Sequence, residues 1–164
     1  VRRMASKFTI TLDINDRRLE TSIAANQTLL EVLRGLEYFE VKSGCEKGDC
    51  GACAVLVDGV AVDSCLTFAA TVDGRSITTV TGLGKGTDLH PLQKAFIEIG
   101  SIQCGYCTPG LIIAAQSMLS ENLNPSDEDL RMGLSGNLCR CTGYTRVFDA
   151  IQSAAKVMSE RETQ

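Results

Sequence analysis

The sequence predicts an α+β chain of two small domains: a mixed sheet with one helix over residues 1–82, then an all-α four-helix bundle over residues 83–164. Three observations carry that prediction. Apolar residues recur at period two in the first half and at about 3.6 in the second, the marks of half-buried strands and amphipathic helices. The run Gly82-Leu83-Gly84-Lys85-Gly86 falls between the halves and reads as a flexible linker, with few contacts expected across it. Eight cysteines divide four and four on either side of it.

Taken in order, Phe8-Thr9-Ile10-Thr11-Leu12-Asp13-Ile14 alternates apolar with polar and predicts a strand. Asn15 to Arg18 reads as a turn, and Leu19 to Ala24 as the returning strand of a hairpin. Thr28 followed by Glu31 predicts a capping box, and Leu29, Leu30, Val32, Leu33 and Leu36 give the helix behind it an apolar face. Ala54 to Val57, Asp58-Gly59 and Val60 to Val62 read as strand, tight turn and strand. Ser76 to Val80 is a further short strand.

Beyond the linker, Leu92, Phe96, Ile97 and Ile99 mark a helix that begins near Pro91. Pro109 to Leu119 predicts a second. Ser126 with Asp129 caps a third through about Leu134. The fourth runs from Thr145 to Met158, with Val147, Ile151, Ala154, Ala155 and Met158 on one face. Met118, Met132 and Met158 fall at helical positions and read as core.

Composition narrows the function. The 164 residues carry 16 Lys and Arg against 20 Asp and Glu, with 5% aromatics and no Trp. With no basic stripe and no RNP-type motif, nucleic acid is not expected as a partner. Domains this small bury modest cores and commonly need a staple. Four disulfides would require an oxidising compartment, and no secretory pattern is visible. Arg2-Arg3 is followed by Met4-Ala5-Ser6-Lys7 rather than an apolar run, and Val1 to Arg3 reads as an extension before a start at Met4. Leu111 to Leu119 is too short and too polar for a membrane span. The expectation is a reduced, cytoplasmic setting with the cysteines as metal ligands. Gly84-Lys85-Gly86 lacks the Ser or Thr of a phosphate loop.

Cys45-Glu46-Lys47-Gly48-Asp49-Cys50-Gly51-Ala52-Cys53 has C-x4-C-x2-C spacing, which winds a loop around one small object with its sulfurs inward. Gly44, Gly48 and Gly51 let that backbone turn tightly. The spacing is that of three of the four ligands of a plant-type 2Fe–2S cluster, and Cys65 is the nearest fourth. A zinc knuckle and a disulfide loop are the alternatives; the leading C-x4-C favours iron–sulfur. Residues 7–81 thus read as the ubiquitin-like, ferredoxin type of α+β fold. Cys104, Cys107, Cys139 and Cys141 form a second set, each pair preceding a predicted helix whose free N–H groups suit an anionic cluster. Zinc held by four cysteines is the alternative there, although a C-x-C pair is atypical of zinc ribbons.

Gln103-Cys104-Gly105-Tyr106-Cys107-Thr108-Pro109-Gly110 and Gly136-Asn137-Leu138-Cys139-Arg140-Cys141-Thr142-Gly143-Tyr144, with the Cys45 to Cys53 loop, resemble the iron–sulfur part of the xanthine dehydrogenase family of molybdenum hydroxylases. The resemblance covers nearly the whole chain, and Cys65 comes sooner than the fourth ligand of plant ferredoxins, as the family has it. It implies a plant-type ferredoxin-like (β-grasp) domain followed by a helical 2Fe–2S domain. It also implies a separate small subunit beside a large molybdopterin subunit and a medium FAD subunit, in a heterotrimer or its dimer. One cluster would sit on Cys104, Cys107, Cys139 and Cys141, near molybdenum; the other, on Cys45, Cys50, Cys53 and Cys65, would lie farther off. Electrons would run from molybdenum through the first cluster and then the second to flavin. In the family motif Gln103 and Cys141 contact the molybdopterin.

No catalytic residue is expected in the chain itself. His90 is the only histidine and, at a predicted helix start, reads as a helix cap or a solvent contact, and all eight thiols have ligand roles. A purine or N-heteroaromatic substrate is favoured for the complex, although aldehyde, carbon monoxide and aromatic-CoA enzymes share these motifs. A stand-alone ferredoxin-like carrier and a zinc-structured interaction module are the competing functions.

Overall fold

The computed structural model describes residues 7–162, so the readings of Arg2-Arg3 and of a start at Met4 lie outside the described residues. Strands β1 (Lys7–Ile14) and β2 (Arg17–Ala24) form the expected hairpin, and Ile10, Leu12 and Ile14 all face inward, as period two requires. Helix α1 (Leu29–Gly35) starts at the capping box on Thr28: its hydroxyl accepts from the Glu31 N–H at 3.2 Å, and the Glu31 carboxylate accepts from the Thr28 N–H at 2.8 Å. Strands β3 (Ala54–Val57) and β4 (Val60–Asp63) pair across Asp58-Gly59, and β5 is Ser76–Thr78. The sheet order is β2-β1-β5-β3-β4, with β1 and β5 parallel and the other pairs antiparallel. Leu29, Leu33, Val55 and Ile77 close the core between α1 and the sheet.

The last strand stops two residues short of the expected Val80. The cause is Asn15, in the β1–β2 turn. Its Oδ1 accepts from the Thr79 N–H and its Nδ2 donates to the Thr79 hydroxyl, both at 2.9 Å. A side chain thereby takes the hydrogen bond that a strand would have offered, and Val80–Gly82 turns into a short 3-10 helix.

Helices α2 (Pro91–Glu98), α3 (Thr108–Glu121), α4 (Asp127–Gly133) and α5 (Thr145–Glu162) make up the second half. Their core contains Leu92, Phe96, Leu111, Leu119, Leu130, Val147, Ile151, Ala154 and Ala155. One core expectation fails, Met132, which is 67% exposed; Ile97, one of the residues that mark α2, is 59% exposed. In α2 the buried stripe is Leu92, Ala95 and Phe96, which places Ile97 on the outer side. Among the described residues no helix is long and apolar enough to cross a membrane.

The expectation of a flexible linker with few contacts across it is also corrected. Lys85 and Asp88 exchange two backbone hydrogen bonds, so the connection is a closed turn. Ile113 of α3 is fully buried against Ala54 and Leu56 of β3. Ser117 of α3 accepts from the Ala61 N–H at 3.1 Å, satisfying an edge strand that would otherwise face solvent. A Cβ on Gly110 would lie 2.2 Å from the Gly51 carbonyl oxygen, so the first turn of α3 sits on the cysteine loop with no room for a side chain.

Candidate iron–sulfur centres

The loop at residues 44–53 has little regular structure of its own and is held from both ends. Gly51 has φ +64°, and a Cβ there would meet the Asn137 amide at 2.3 Å, so both its conformation and its packing require glycine. After β4, the segment carrying Cys65 is pinned by the start of α1. The Leu29 and Leu30 N–H groups donate to the carbonyls of Thr67 and Ser64, and the buried Ser64 hydroxyl donates to the Cys53 carbonyl at 2.7 Å. Two free N–H groups of a helix N-terminus thus serve to deliver Cys65 next to Cys53.

All eight cysteines are free thiols, so the disulfide readings are not what the chain forms. They fall into pairs. Side-chain hydrogen bonding pairs Cys45 with Cys50, Cys53 with Cys65, Cys107 with Cys139 and Cys104 with Cys141, the last at 3.6 Å between sulfurs, while in the second set Cys107 also interacts with Cys104 and Cys141 with Cys139. Tetrahedral metal–thiolate bonds of ~2.3 Å put two sulfurs on one metal ~3.8 Å apart. Among the described residues no three Cys, His, Asp or Glu side chains converge on a single ion position. Two pairs per set fit a binuclear cluster with two sulfurs to each iron. A four-cysteine zinc site would need all four around one ion.

The electrostatics of the two sets run in parallel. At Cys45 the backbone N–H groups of Lys47 and Asp49 each donate to Sγ at 3.3 Å and bring the thiol down to about 7. Burial pushes Cys53 up to about 12, with the Asp63 carboxylate 3.6 Å away adding to the effect. In the second set burial pushes Cys107 up to about 12. Burial also raises Cys139, but the hydroxyl and N–H of Thr142, then the Cys141 N–H and the Cys107 side chain, together outweigh it and bring that thiol to about 7. The neighbouring Cys104 sulfur raises Cys141. Each set therefore has one sulfur with donors already aimed at it and one in a low-dielectric wall. A bound metal deprotonates coordinating thiols outright, and donors aimed at sulfur stabilise the anionic cluster that results.

Cys107 precedes α3, and Cys139 and Cys141 precede α5. The Tyr144 hydroxyl ties the second loop together, accepting from the Cys139 N–H at 2.7 Å and donating to the Asn137 carbonyl at 3.0 Å. Gln103, Cys104 and Cys141 are exposed, and the apolar side chains of Ile102, Tyr106 and Leu138 are exposed near them in sequence. His90 caps α2 as expected: its Nδ1 accepts from the Leu92 N–H, and burial holds its pKa below the ordinary 6.5.

Three contacts join the two loops directly. The Leu138 N–H donates to the Cys50 carbonyl at 3.0 Å, Asn137 Nδ2 donates to the Gly51 carbonyl at 3.1 Å, and the Tyr106 hydroxyl donates to the Ser43 carbonyl. Reading by residue type did not find them. Their acceptors are backbone carbonyls, which leave no mark in sequence, and Asn137 and Tyr106 stood in the motifs with no role derived.

A model described as a 2Fe-2S iron-sulfur cluster binding domain matches residues 12–79, and one described as a 2Fe-2S binding domain matches residues 79–152. The chain is 45% identical to the nicotine 6-hydroxylase small subunit of Paenarthrobacter nicotinovorans, covering 92% of this chain and 91% of that one. It is 42% identical to the xanthine dehydrogenase iron-sulfur-binding subunit of Escherichia coli O157:H7, covering 91% and 95%. The solved aldehyde oxidoreductase of Desulfovibrio gigas superposes with a TM-score of 0.89 at 42% identity, over 94% of this chain and 17% of that longer one. With a 2Fe–2S binding domain in each half and such relatives along most of its length, the chain belongs to the iron–sulfur subunits of the xanthine dehydrogenase, or molybdenum hydroxylase, family.

Proposed function

We propose that the chain is the non-catalytic electron-transfer subunit of a cytoplasmic molybdenum hydroxylase. Cys104, Cys107, Cys139 and Cys141 hold the cluster nearer the molybdopterin of a large subunit. Cys45, Cys50, Cys53 and Cys65 hold the one nearer the FAD of a medium subunit. Each cluster, when bound, takes up and passes on one electron. The observation that carries the reading is the hydrogen bond from the Leu138 N–H to the Cys50 carbonyl. Leu138 adjoins Cys139, so a ligand of one cluster connects to a ligand of the other through covalent bonds and a single hydrogen bond. The exposed edge at Gln103, Cys104 and Cys141 supports docking of the large subunit on that side. The relatives act on nicotine, xanthine and aldehydes, as their names state, so substrate choice belongs to the partner; an N-heteroaromatic or purine substrate is the reading retained.

The test is rapid-freeze electron paramagnetic resonance of the assembled complex. The holoprotein should contain about four irons and four sulfides per chain and show two distinct signals on reduction. Gln103→Ala removes one side-chain hydrogen bond to the pterin, of the order of 1 kcal/mol. It should slow reduction of the helical cluster by substrate while artificial reductants still fill both clusters. Cys53→Ser should leave that first step intact and impair transfer to flavin. If Cys53→Ser instead abolished reduction of an intact helical cluster, the assigned order would be wrong; zinc without sulfide would end the reading altogether.

A further inference from the structure

Thr142 follows Cys141 in the turn that leads into α5. Its hydroxyl lies 3.1 Å from Cys139 Sγ and its N–H 3.4 Å from the same sulfur. A third contact accords with the hydroxyl donating to the sulfur: the Tyr144 N–H donates to Thr142 Oγ1 at 3.3 Å. An amide can only donate, so it occupies a lone pair of Oγ1 and leaves the hydroxyl hydrogen free for the sulfur. The Cys139 N–H is committed to the Tyr144 hydroxyl. Thr142 therefore gives Cys139 Sγ both a side-chain and a backbone donor.

The two centres differ in this respect. At Cys45 both donors are backbone amides, of Lys47 and Asp49, and no side-chain replacement removes them. At Cys139 one donor is a side-chain hydroxyl, that of Thr142. We propose that Thr142 is a positioning residue that raises the reduction potential of the helical cluster, acting through Cys139. The inference rests on Cys139 being a ligand of that cluster. Reduction adds one negative charge and makes the thiolate sulfurs stronger acceptors. A hydroxyl already directed at one of them stabilises the reduced form more than the oxidised form. The centre that receives electrons first thus owes part of its driving force to one replaceable side chain.

The test is a redox titration of the holoprotein in its complex, followed by electron paramagnetic resonance so that each cluster is read separately. Thr142→Val keeps the branched shape and removes the O–H. It should lower the reduction equilibrium constant of the helical cluster about tenfold, ~59 mV for a one-electron couple, and leave the other cluster unmoved. Thr142→Ser keeps the hydroxyl and should stay at the parent value. An unshifted Val variant, or a Ser variant shifted as far as Val, overturns the proposal. Cys139→Ser tests the reading beneath it. If that variant leaves the helical signal unaltered, Cys139 is not a ligand; if the signal changes while Val leaves the potential in place, only the role of Thr142 fails. Should the Val variant assemble no cluster, the parent protein mixed briefly with D2O and frozen supplies a second measurement. Hydroxyl hydrogens exchange faster than amide hydrogens, so an electron–nuclear double resonance coupling to a deuteron should be present at the earliest time. Its absence refutes the hydroxyl contact.

Discussion

Gly110→Ala probes the contact between the halves with one methyl group. The added Cβ would lie 2.2 Å from the Gly51 carbonyl oxygen, 3.1 Å from the Gly51 carbonyl carbon and 3.2 Å from Ala52 Cα. Carbon and oxygen rest at about 3.3–3.6 Å even in favourable C–H···O contacts, so roughly 1 Å of separation must be found. All three obstructing atoms are backbone, in a loop whose neighbours Cys50 and Gly51 are tied to Leu138 and Asn137. Overpacking of this kind costs about 1–3 kcal/mol, and weakening the Asn137 bond to Gly51 adds about 1 kcal/mol. Opposing these is the helix propensity of alanine over glycine, at most about 1 kcal/mol. The net expectation is a loss of about 1–3 kcal/mol, which for a chain of this size lowers the melting temperature by roughly 2–10 °C. Gly35→Ala is the control, because nothing lies within 4 Å of its Cβ position and α1 should gain slightly. Thermal unfolding of the holoprotein, parent against both variants under one set of conditions, reads the difference. If Gly110→Ala melted at or above the parent, as Gly35→Ala should, the packing of α3 on the cysteine loop would be refuted.

Two further outcomes follow from named contacts. Asn137→Ala removes the buried donor to the Gly51 carbonyl and should cost about 1–3 kcal/mol in chemical denaturation; a change under about 0.5 kcal/mol would show that the bridge contributes little. His90 is held below its ordinary 6.5 by burial and then by Arg161, and its neutral Nδ1 caps α2. As pH falls through 6.5 the unfolded chain takes the proton first, so the His90 contribution is complete above 6.5 and declines below it, until the folded group also titrates. His90→Asn keeps a capping acceptor without a charge change, so the melting-temperature difference between parent and variant should move in the variant's favour between pH 7 and pH 5.5; a flat difference would contradict the burial argument.

What could be read in sequence was local. The alternation at Ile10, Leu12 and Ile14, the Thr28 and Glu31 box, and the Asp58-Gly59 turn each sit within one element and need nothing from elsewhere. The misses have distant causes. Asn15 is 64 residues from the Thr79 it diverts, and Ile113 and the Leu56 it packs with lie in opposite halves of the chain. Ile97 and Met132 are apolar at helical spacing, but periodicity does not say which flank of an apolar stripe meets a neighbour. At the centres, spacing grouped the cysteines into two sets. It could not divide each set into pairs, nor reveal that Thr142 points its hydroxyl at Cys139.

The contacts joining the halves include the packing of α3 on β3 and β4 and a second group at the cysteine loops. Ser43, Cys50 and Gly51 on one side meet Tyr106, Gly110, Asn137 and Leu138 on the other, and each lies within three residues of a candidate ligand. In the proposed function electrons pass between two centres, so what holds the halves together matters, and the closed turn at Lys85 and Asp88 is only one of the contacts that do so. The loops that carry the cysteines are joined by hydrogen bonds whose acceptors are backbone carbonyls, and α3 packs on β3 and β4 beside them. Backbone groups tolerate side-chain replacement, so these three acceptors do not depend on which side chains the loops carry. The same argument marks where variation is not free. Gly51 and Gly110 make the close approach possible, Asn137 reaches across it with a side chain, and replacement at any of the three would disturb the contact between the two cysteine loops.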